Sequence, residues 1–274
     1  MSVVVSRGIN AKWGYAEEST WGTAPDDAGV TYTRFIGGVE VRINENPIPI
    51  EEGLGDRDLD AMVKGYRVVD LAVTLRPTSI DLLKYAIDNI SKSVTFWGKY
   101  EDIGAEIVIT GCKANELRLD MAKGALLTAA LTFFGKDYNY TGLSNATMGD
   151  KPTATPFHFP DEGVQIDGSD APEINTVSLT VANNLERIPD WGQTPRAIVE
   201  RQRVITGEIG GNFENTNLLQ KLMNLTKFNM ALKISASNTI TLTDCYLLST
   251  TLPTRKVDLI ALRIPFRAKS ISIA

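Results

Sequence analysis

A chain of 274 residues, 43% hydrophobic and 22% charged, holds enough apolar material for one large domain or two of ordinary size. A formal net charge of -5 argues against a dedicated nucleic-acid binder, which presents a basic surface. Two cysteines and the single His158 are too few for a metal centre, and no run reaches the ~18 apolar residues of a membrane span.

The opening, MSVVVSRGINAKWGYAEEST, has a short apolar run with no basic segment before it. It does not read as a secretory signal, and folding in the cytoplasm is expected. The Asn-x-Ser/Thr triplets at Asn89, Asn139, Asn145 and Asn224 then carry no glycan. Residues 1–36 form a lead-in rich in aromatic and turn residues, among them Trp13, Tyr15, Trp21 and Pro25. A strand from Val39 to Ile43 precedes a polar stretch of about twenty residues with Pro47, Pro49, Gly53 and Gly55. An irregular loop of that length in a compact domain is usually functional or disordered. From Arg67 to Arg76 the chain alternates: Val69, Leu71, Val73 and Leu75 on one face, Asp70, Ala72, Thr74 and Arg76 on the other. That period describes a sheet with one dry and one wet face. A helix is expected to start at Thr78-Ser79, where a hydroxyl can cap it, with Ile80, Leu83 and Ile87 as its apolar stripe. Strands follow at Glu106–Gly111, Asn115–Met121 and Leu126–Lys136, the last with Leu127, Ala129, Leu131 and Phe133 on one face.

Residues 138–172, with Pro152, Pro156, Pro160 and Pro172, read as a linker. The plan then repeats: a strand from Val177 to Val181, a long loop from Asn183 to Val199 with Pro189, Trp191 and Pro195, and a strand with Ile205, Ile209 and Phe213 inward and Thr206, Glu208 and Asn212 outward. Gly207, Gly210 and Gly211 weaken this strand or mark a bulge. A helix over Thr216 to Leu225 and strands over Cys245–Leu252 and Leu259–Lys269 complete the chain. Each unit is antiparallel β with one helix, best closed as a small sandwich or barrel.

The repeat is also visible residue by residue. Residues 109–136 lie over residues 242–269 without a gap, so that Thr110, Cys112, Leu119, Lys123, Leu126, Phe133 and Lys136 meet Thr243, Cys245, Leu252, Lys256, Leu259, Phe266 and Lys269. Unrelated segments match at roughly one position in fifteen to twenty. Arg67-Val68 meets Arg203-Val204, and Leu82-Leu83 meets Leu218-Leu219. The expected organisation is a first β domain over residues 1–137, a linker over 138–172 and a second β domain over 173–274, related by duplication. The period is too long for a solenoid. Cys112 and Cys245 hold equivalent places in separate units and are expected to be buried free thiols.

No chemistry stands out. Gly53-Leu54-Gly55 lacks the third glycine of a phosphate loop. A serine or cysteine mechanism would rest on His158 alone, which lies in the Pro-rich stretch. The acidic loop with Glu51, Glu52, Asp56, Asp58 and Asp60 does not match the calcium-loop spacing and reads as solvated charge. No catalytic, cofactor or metal-binding residue is assigned, and no enzyme activity is expected.

The segment GINAKWGYAEESTWGTAP, above all Glu18 to Pro25, resembles the N-terminal segment of tail tube proteins from long-tailed, siphovirus-like double-stranded DNA bacteriophages and related viruses. The unit plan, a small β-sandwich with a helix at its side and a long loop between two early strands, is similar to the tube-domain fold of that family. The resemblance implies a virion tail protein assembled in the host cytoplasm, whose rings stack into a hollow tube that conducts genomic DNA at ejection. It implies contacts with a tape measure protein and with tail tip and terminator proteins, and passage of DNA through the lumen without specific binding. A negative wall would serve that passage, because like charges repel the phosphate backbone. Most members carry one domain and form hexamers; two domains per chain imply a trimer with pseudo-sixfold symmetry. The loops at 44–65 and 183–200 would reach the next ring or subunit, with Pro47, Pro49, Glu51, Leu54, Asp56, Leu59, Met62, Ile188, Trp191 and Pro195 as contact candidates. Asp70, Thr74, Thr206 and Glu208 are candidates for the lumen wall. Two other readings stay open on residues alone: a distal tail, baseplate hub or receptor-binding β-sandwich using the same loops for recognition, and a glycan hydrolase, for which no carboxylate pair is singled out.

Overall fold

The computed structural model describes residues 11–50, 61–158, 163–212, 214, 216–250 and 261–274. In the first half, β1 (Ala11–Glu17), β2 (Thr31–Arg34), β3 (Gly37–Asn44), β4 (Ile48–Ile50), β5 (Ala61–Val63) and β6 (Val68–Leu75) precede helix α1 (Asp81–Ile87). Then come β7 (Val94–Tyr100), β8 (Ala105–Ala122), β9 (Thr128–Gly135), β10 (Asp137–Asn139) and the short β11 (Thr147–Met148). The second half holds β12 (Gly163–Ile166), β13 (Ser169–Asp170), β14 (Ile174–Ala182), β15 (Glu186–Ile188), β16 (Ala197–Val199) and β17 (Val204–Asn212). Helix α2 (Asn217–Met223) follows, then β18 (Phe228–Lys233), β19 (Thr239–Leu247), β20 (Ala261–Ala268) and β21 (Ser270–Ile273).

The fold is mainly β, and the alternation in the sequence explains its layers. Val69, Leu71, Val73 and Leu75 of β6 are buried, as are Ala129, Leu131 and Phe133 of β9. Ile205 and Ile209 of β17 are buried too, whereas Phe213 lies outside the described residues. Each large apolar side chain so buried contributes about 1.5–3 kcal/mol. One antiparallel sheet runs through both halves in the order β3, β6, β9, β8, β14, β17, β20, because β14 lies along β8 with Leu179 opposite Leu119. Against its dry face pack β1, β7, β10 and the start of β8 in the first half, and β12, β18, β19 and β21 in the second. A single apolar cluster fills the space from Trp13 and Phe96 to Ile264 and Phe266.

Three expectations change. The strands expected at 106–111 and 115–121 are one strand, β8, which passes from the outer layer into the shared sheet. Gly111 (φ +67°) lies at that passage, and the ladders slip on either side of it, between Val94 and Phe96 and between Ala114 and Glu116. A bulge lets one strand serve two layers. Neither helix is capped by a hydroxyl: Ile80 stands at the N-cap of α1 and Thr216 at that of α2, and neither side chain accepts a capping bond from the helix backbone. Packing of Leu82, Leu83, Tyr85, Ala86 and Ile87 holds α1 instead. The long loops contain two-stranded ribbons, β4 with β5 and β15 with β16, which three-residue strands around prolines do not announce.

The stretch read as a linker carries β11, β12 and β13. β11 runs parallel to β2, and Asp26 accepts hydrogen bonds from the backbone of Ser144, Asn145 and Ala146. His158 bridges to Leu126.

The two halves share their strand pairing. The ladders β3–β6, β6–β9, β8–β9, β7–β8, β8–β10 and β4–β5 recur as β14–β17, β17–β20, β19–β20, β18–β19, β19–β21 and β15–β16. Their registers recur as well. Val41 opposite Leu71 matches Leu179 opposite Gly207; Ala114 opposite Phe133 matches Leu247 opposite Phe266; Thr110 opposite Asp137 matches Thr243 opposite Ser270. Even the bulge recurs, with Val94 opposite Cys112 and Phe228 opposite Cys245. Gly207 stands where Leu71 does because Phe266 fills its space: a Cβ there would lie 2.5 Å from that ring.

Candidate assembly surfaces

The shared sheet brings the four lumen-wall candidates onto one face. In-register neighbours run Thr74, Ala130, Arg118, Thr180, Thr206, Arg267 across six strands. Asp70 and Glu208 lie on the same face, two residues from Thr74 and Thr206 along a period-two strand or its multiple. The face is polar but mixed in sign. Arg118 pairs with Asp120 at 3.1 Å, and Arg263 approaches Glu208 at 3.8 Å. Asp70 differs from the other three, because the ribbon β15–β16 covers it. Arg187 donates to Asp70 at 2.5 Å and to the Val69 carbonyl at 2.7 Å, and its guanidinium lies 3.9 Å from the centre of the Phe134 ring.

Arg67 ties the base of the first ribbon to the turn of the second. Its side chain pairs with Asp137 and, at 2.9 Å, with Glu45, while its backbone N–H donates to the Gln193 carbonyl at 2.6 Å. Tyr138 donates to Glu45 at 2.7 Å, and this bond, ahead of Arg67 itself, holds the Glu45 carboxyl below the usual range. Of the contact candidates, Pro47, Pro49 and Met62 are exposed on the first ribbon and its approach. Trp191 projects wholly into solvent at 105% exposure, Ile188 is half-buried, and Pro195 is buried and so unavailable to another copy. Glu51, Leu54, Asp56 and Leu59 lie outside the described residues.

The Glu18–Pro25 signature has a local physical role. The buried Glu18 carboxylate accepts four hydrogen bonds, from Gly22 N, Ser93 Oγ and Gly111 N at 2.7 Å and from Thr95 Oγ1 at 2.6 Å. Trp21 Nε1 donates to the Gly111 carbonyl at 3.1 Å, and the Lys136 ammonium lies 4.4 Å from the Trp21 ring centre. Both polar groups of Gly111 are thus held by the signature at the bend of β8. A Cβ on Gly111 would meet the Lys136 Cβ at 2.5 Å, so glycine is required by space as well as by φ.

The sequence pointed to the signature and to the wet strands. It did not point to Arg187, whose partner Asp70 is 117 positions away and whose surroundings have no period. Nor did it show that the helices differ in cover: α1 is buried, whereas in α2 only Leu218 is. Cys112 and Cys245 are free and buried; burial pushes the Cys245 thiol up to about 12 and the Cys112 thiol well above its usual value. Among the described residues no His, Cys, Asp and Glu group could hold a metal ion, and no helix is long and apolar enough to cross a membrane.

None of the curated proteins matches the chain. The family described as phage tail tube protein matches residues 8–268, from the strand before the signature through both halves of the shared sheet. The chain belongs to the phage tail tube protein family and is a structural component of a bacteriophage tail.

Proposed function

We propose that the chain is a duplicated tube subunit of a siphovirus-like phage. Three copies close a ring of six units, and stacked rings form a hollow tube that conducts genomic DNA at ejection. The observation that carries this reading is the junction between the halves. β14 completes the first half by pairing with β8, and Val177, Leu179 and Val181 are buried there. β3, their counterpart in the first half, pairs only with β6 among the described residues, and Val39, Val41 and Ile43 remain half-buried. An open edge of this kind invites pairing with another chain, and a closed ring removes it. Repeating the internal junction between chains supplies the missing neighbour, and matched registers in the two halves support the duplication on which that repetition depends.

In such a ring the wet face of the shared sheet, with Thr74, Thr206 and Glu208, lines the lumen. Its mixed charge suits passage of DNA without adhesion better than a basic wall would. The ribbons with Met62 and Trp191 reach the neighbouring ring or subunit, and tape measure, tip and terminator proteins meet the ends of the tube. Electron microscopy of the purified protein over a range of concentrations tests the reading. Hollow tubes or stacked rings with threefold top views support it. Monomers at every concentration, with and without added tail tips, would leave a receptor-binding or hub module as the better account.

A further inference from the structure

Inside the chain the second half covers α1. Ile273 N donates to Asp88 Oδ2 at 3.2 Å, Asn183 Nδ2 to the Ala86 carbonyl at 3.1 Å, and Arg203 Nη1 to the Ile87 carbonyl at 2.6 Å. α2 occupies the matching place in the second half without that cover. Leu82-Leu83 corresponds to Leu218-Leu219, so Ile87 corresponds to Met223, yet Ile87 is 2% exposed and Met223 81%. Leu225, just past the helix, is 70% exposed and held at φ +48°, a conformation that costs a leucine energy. A strained leucine and a methionine side by side form an apolar face with no partner among the described residues.

The complement lies on the first half, beside the open edge of β3. Val41, Ile43, Tyr100, Ile103, Ile107 and Tyr140 line a depression of about 340 Å³. Through the shared registers, Val41, Ile43, Tyr100, Ile107 and Tyr140 correspond to Leu179, Val181, Ile234, Ile240 and Ile273, all buried in the second half. Val41, Ile43, Tyr100 and Tyr140 are thus covered where a neighbouring unit is present and partly or largely exposed where it is absent, while Ile107 is buried in both settings as the floor of the depression. Tyr140, counterpart of the Ile273 that touches α1, is 66% exposed.

We propose that the Met223–Leu225 end of α2 in one copy seats in the Val41–Tyr140 depression of the next copy, repeating between chains the α1 contact made within one. The inference deepens the ring reading and rests on it for the direction of assembly. The test is a cysteine pair at the counterparts of the Asp88–Ile273 contact, Asn224→Cys with Tyr140→Cys, in the full chain. Cys112 and Cys245 are buried and do not compete. Mild oxidation should give covalent multimers up to the ring number, while either single variant, or Asn224→Cys with Ser237→Cys, should not. Met223→Glu should keep the thermal midpoint of the wild type, since the side chain is exposed, and raise the concentration needed for rings at least tenfold. Wild-type tubes with no cross-link at this pair, or tubes from Met223→Glu at the wild-type concentration, would overturn the seat and leave the ring reading standing. Cross-linked multimers from a protein that forms neither rings nor tubes would support the seat and remove the tube reading. Monomers throughout, with no cross-link, would remove both.

Discussion

Replacing Glu18 by Ala should unfold the bend of β8 before anything else. The substitution strips an acceptor from four donors at once: Gly22 N, Ser93 Oγ, Thr95 Oγ1 and Gly111 N. The two hydroxyls can turn toward other acceptors. The two backbone amides cannot, and each buried donor left unpaired costs about 1–3 kcal/mol. Some of that is recovered if water enters the space vacated by the carboxylate. The expected loss is therefore about 3–5 kcal/mol, a fall in Tm of roughly 10 °C for a chain of this size. Urea and thermal denaturation followed by circular dichroism would measure it. Glu18→Gln, which keeps one acceptor oxygen, should lose about half as much. A Glu18→Ala loss below about 1 kcal/mol would refute the reasoning, because it would mean that the amides of Gly22 and Gly111 are not committed to this carboxylate in the folded state.

Other expectations follow from the same geometry. The Asn145, Ala146 and Ser144 amides hold the Asp26 carboxyl down at about 2. A folded value below the unfolded one stabilises above the unfolded pKa and is lost as pH falls toward the folded one. Docking of residues 144–146 on Asp26 should therefore loosen between pH about 4 and about 2, seen as faster amide exchange at Asn145 and Ala146, and Asp26→Ala should abolish that acid-linked step. Arg187→Ala should destabilise the chain by about 1–2 kcal/mol in urea, discounted because Asp70 keeps a third of its surface in water; no change would mean the ribbon is held by its backbone alone. Neither Cys112 nor Cys245 should react with a thiol reagent until the chain unfolds, and rapid labelling of either in the native state would contradict its burial. Deletion of residues 47–62 should leave a folded subunit that makes no long tubes, and normal tubes in micrographs would remove the role given to that ribbon.

How far the sequence could be read depended on the range of the interaction concerned. Period two along β6 and β9 is a local signal, and the core faces of those strands were legible from it. The match of Cys112 to Cys245 was legible for a related reason: each thiol sits opposite a bulge, in a packed position where few residues fit. The continuity of β8 was hidden, because Gly111 and its neighbours read as a break when they are a bulge. The ribbons were hidden because each strand is three residues long, too short for a period. Glu18 was visible only as a signature. Its donors come from residues near 22, 93 and 111, and no local pattern announces a carboxylate that serves three segments.

The two junctions of the proposed ring need not be chemically alike, and in this chain they are not. Within the chain, Arg187 of one ribbon lies on Asp70 and Phe134. Carried through the registers to the junction between chains, the same three positions read Pro49, Thr206 and Arg267. An arginine at Arg187 would meet another arginine, Arg267, if a second half docked its ribbon on another second half, and like charges at that distance oppose the contact. The first half's ribbon carries Pro49 at that position, so it sets no arginine against Arg267 there. The covalent link keeps the ion-paired junction inside the chain, and in the proposed ring the ribbon with Pro49 is left for the junction between copies. A ring of identical single units has no such freedom, because each contact must serve at every junction. In the proposed ring, duplication would permit this division, and the distribution of Arg187, Asp70, Pro49 and Arg267 would favour alternation of first and second halves.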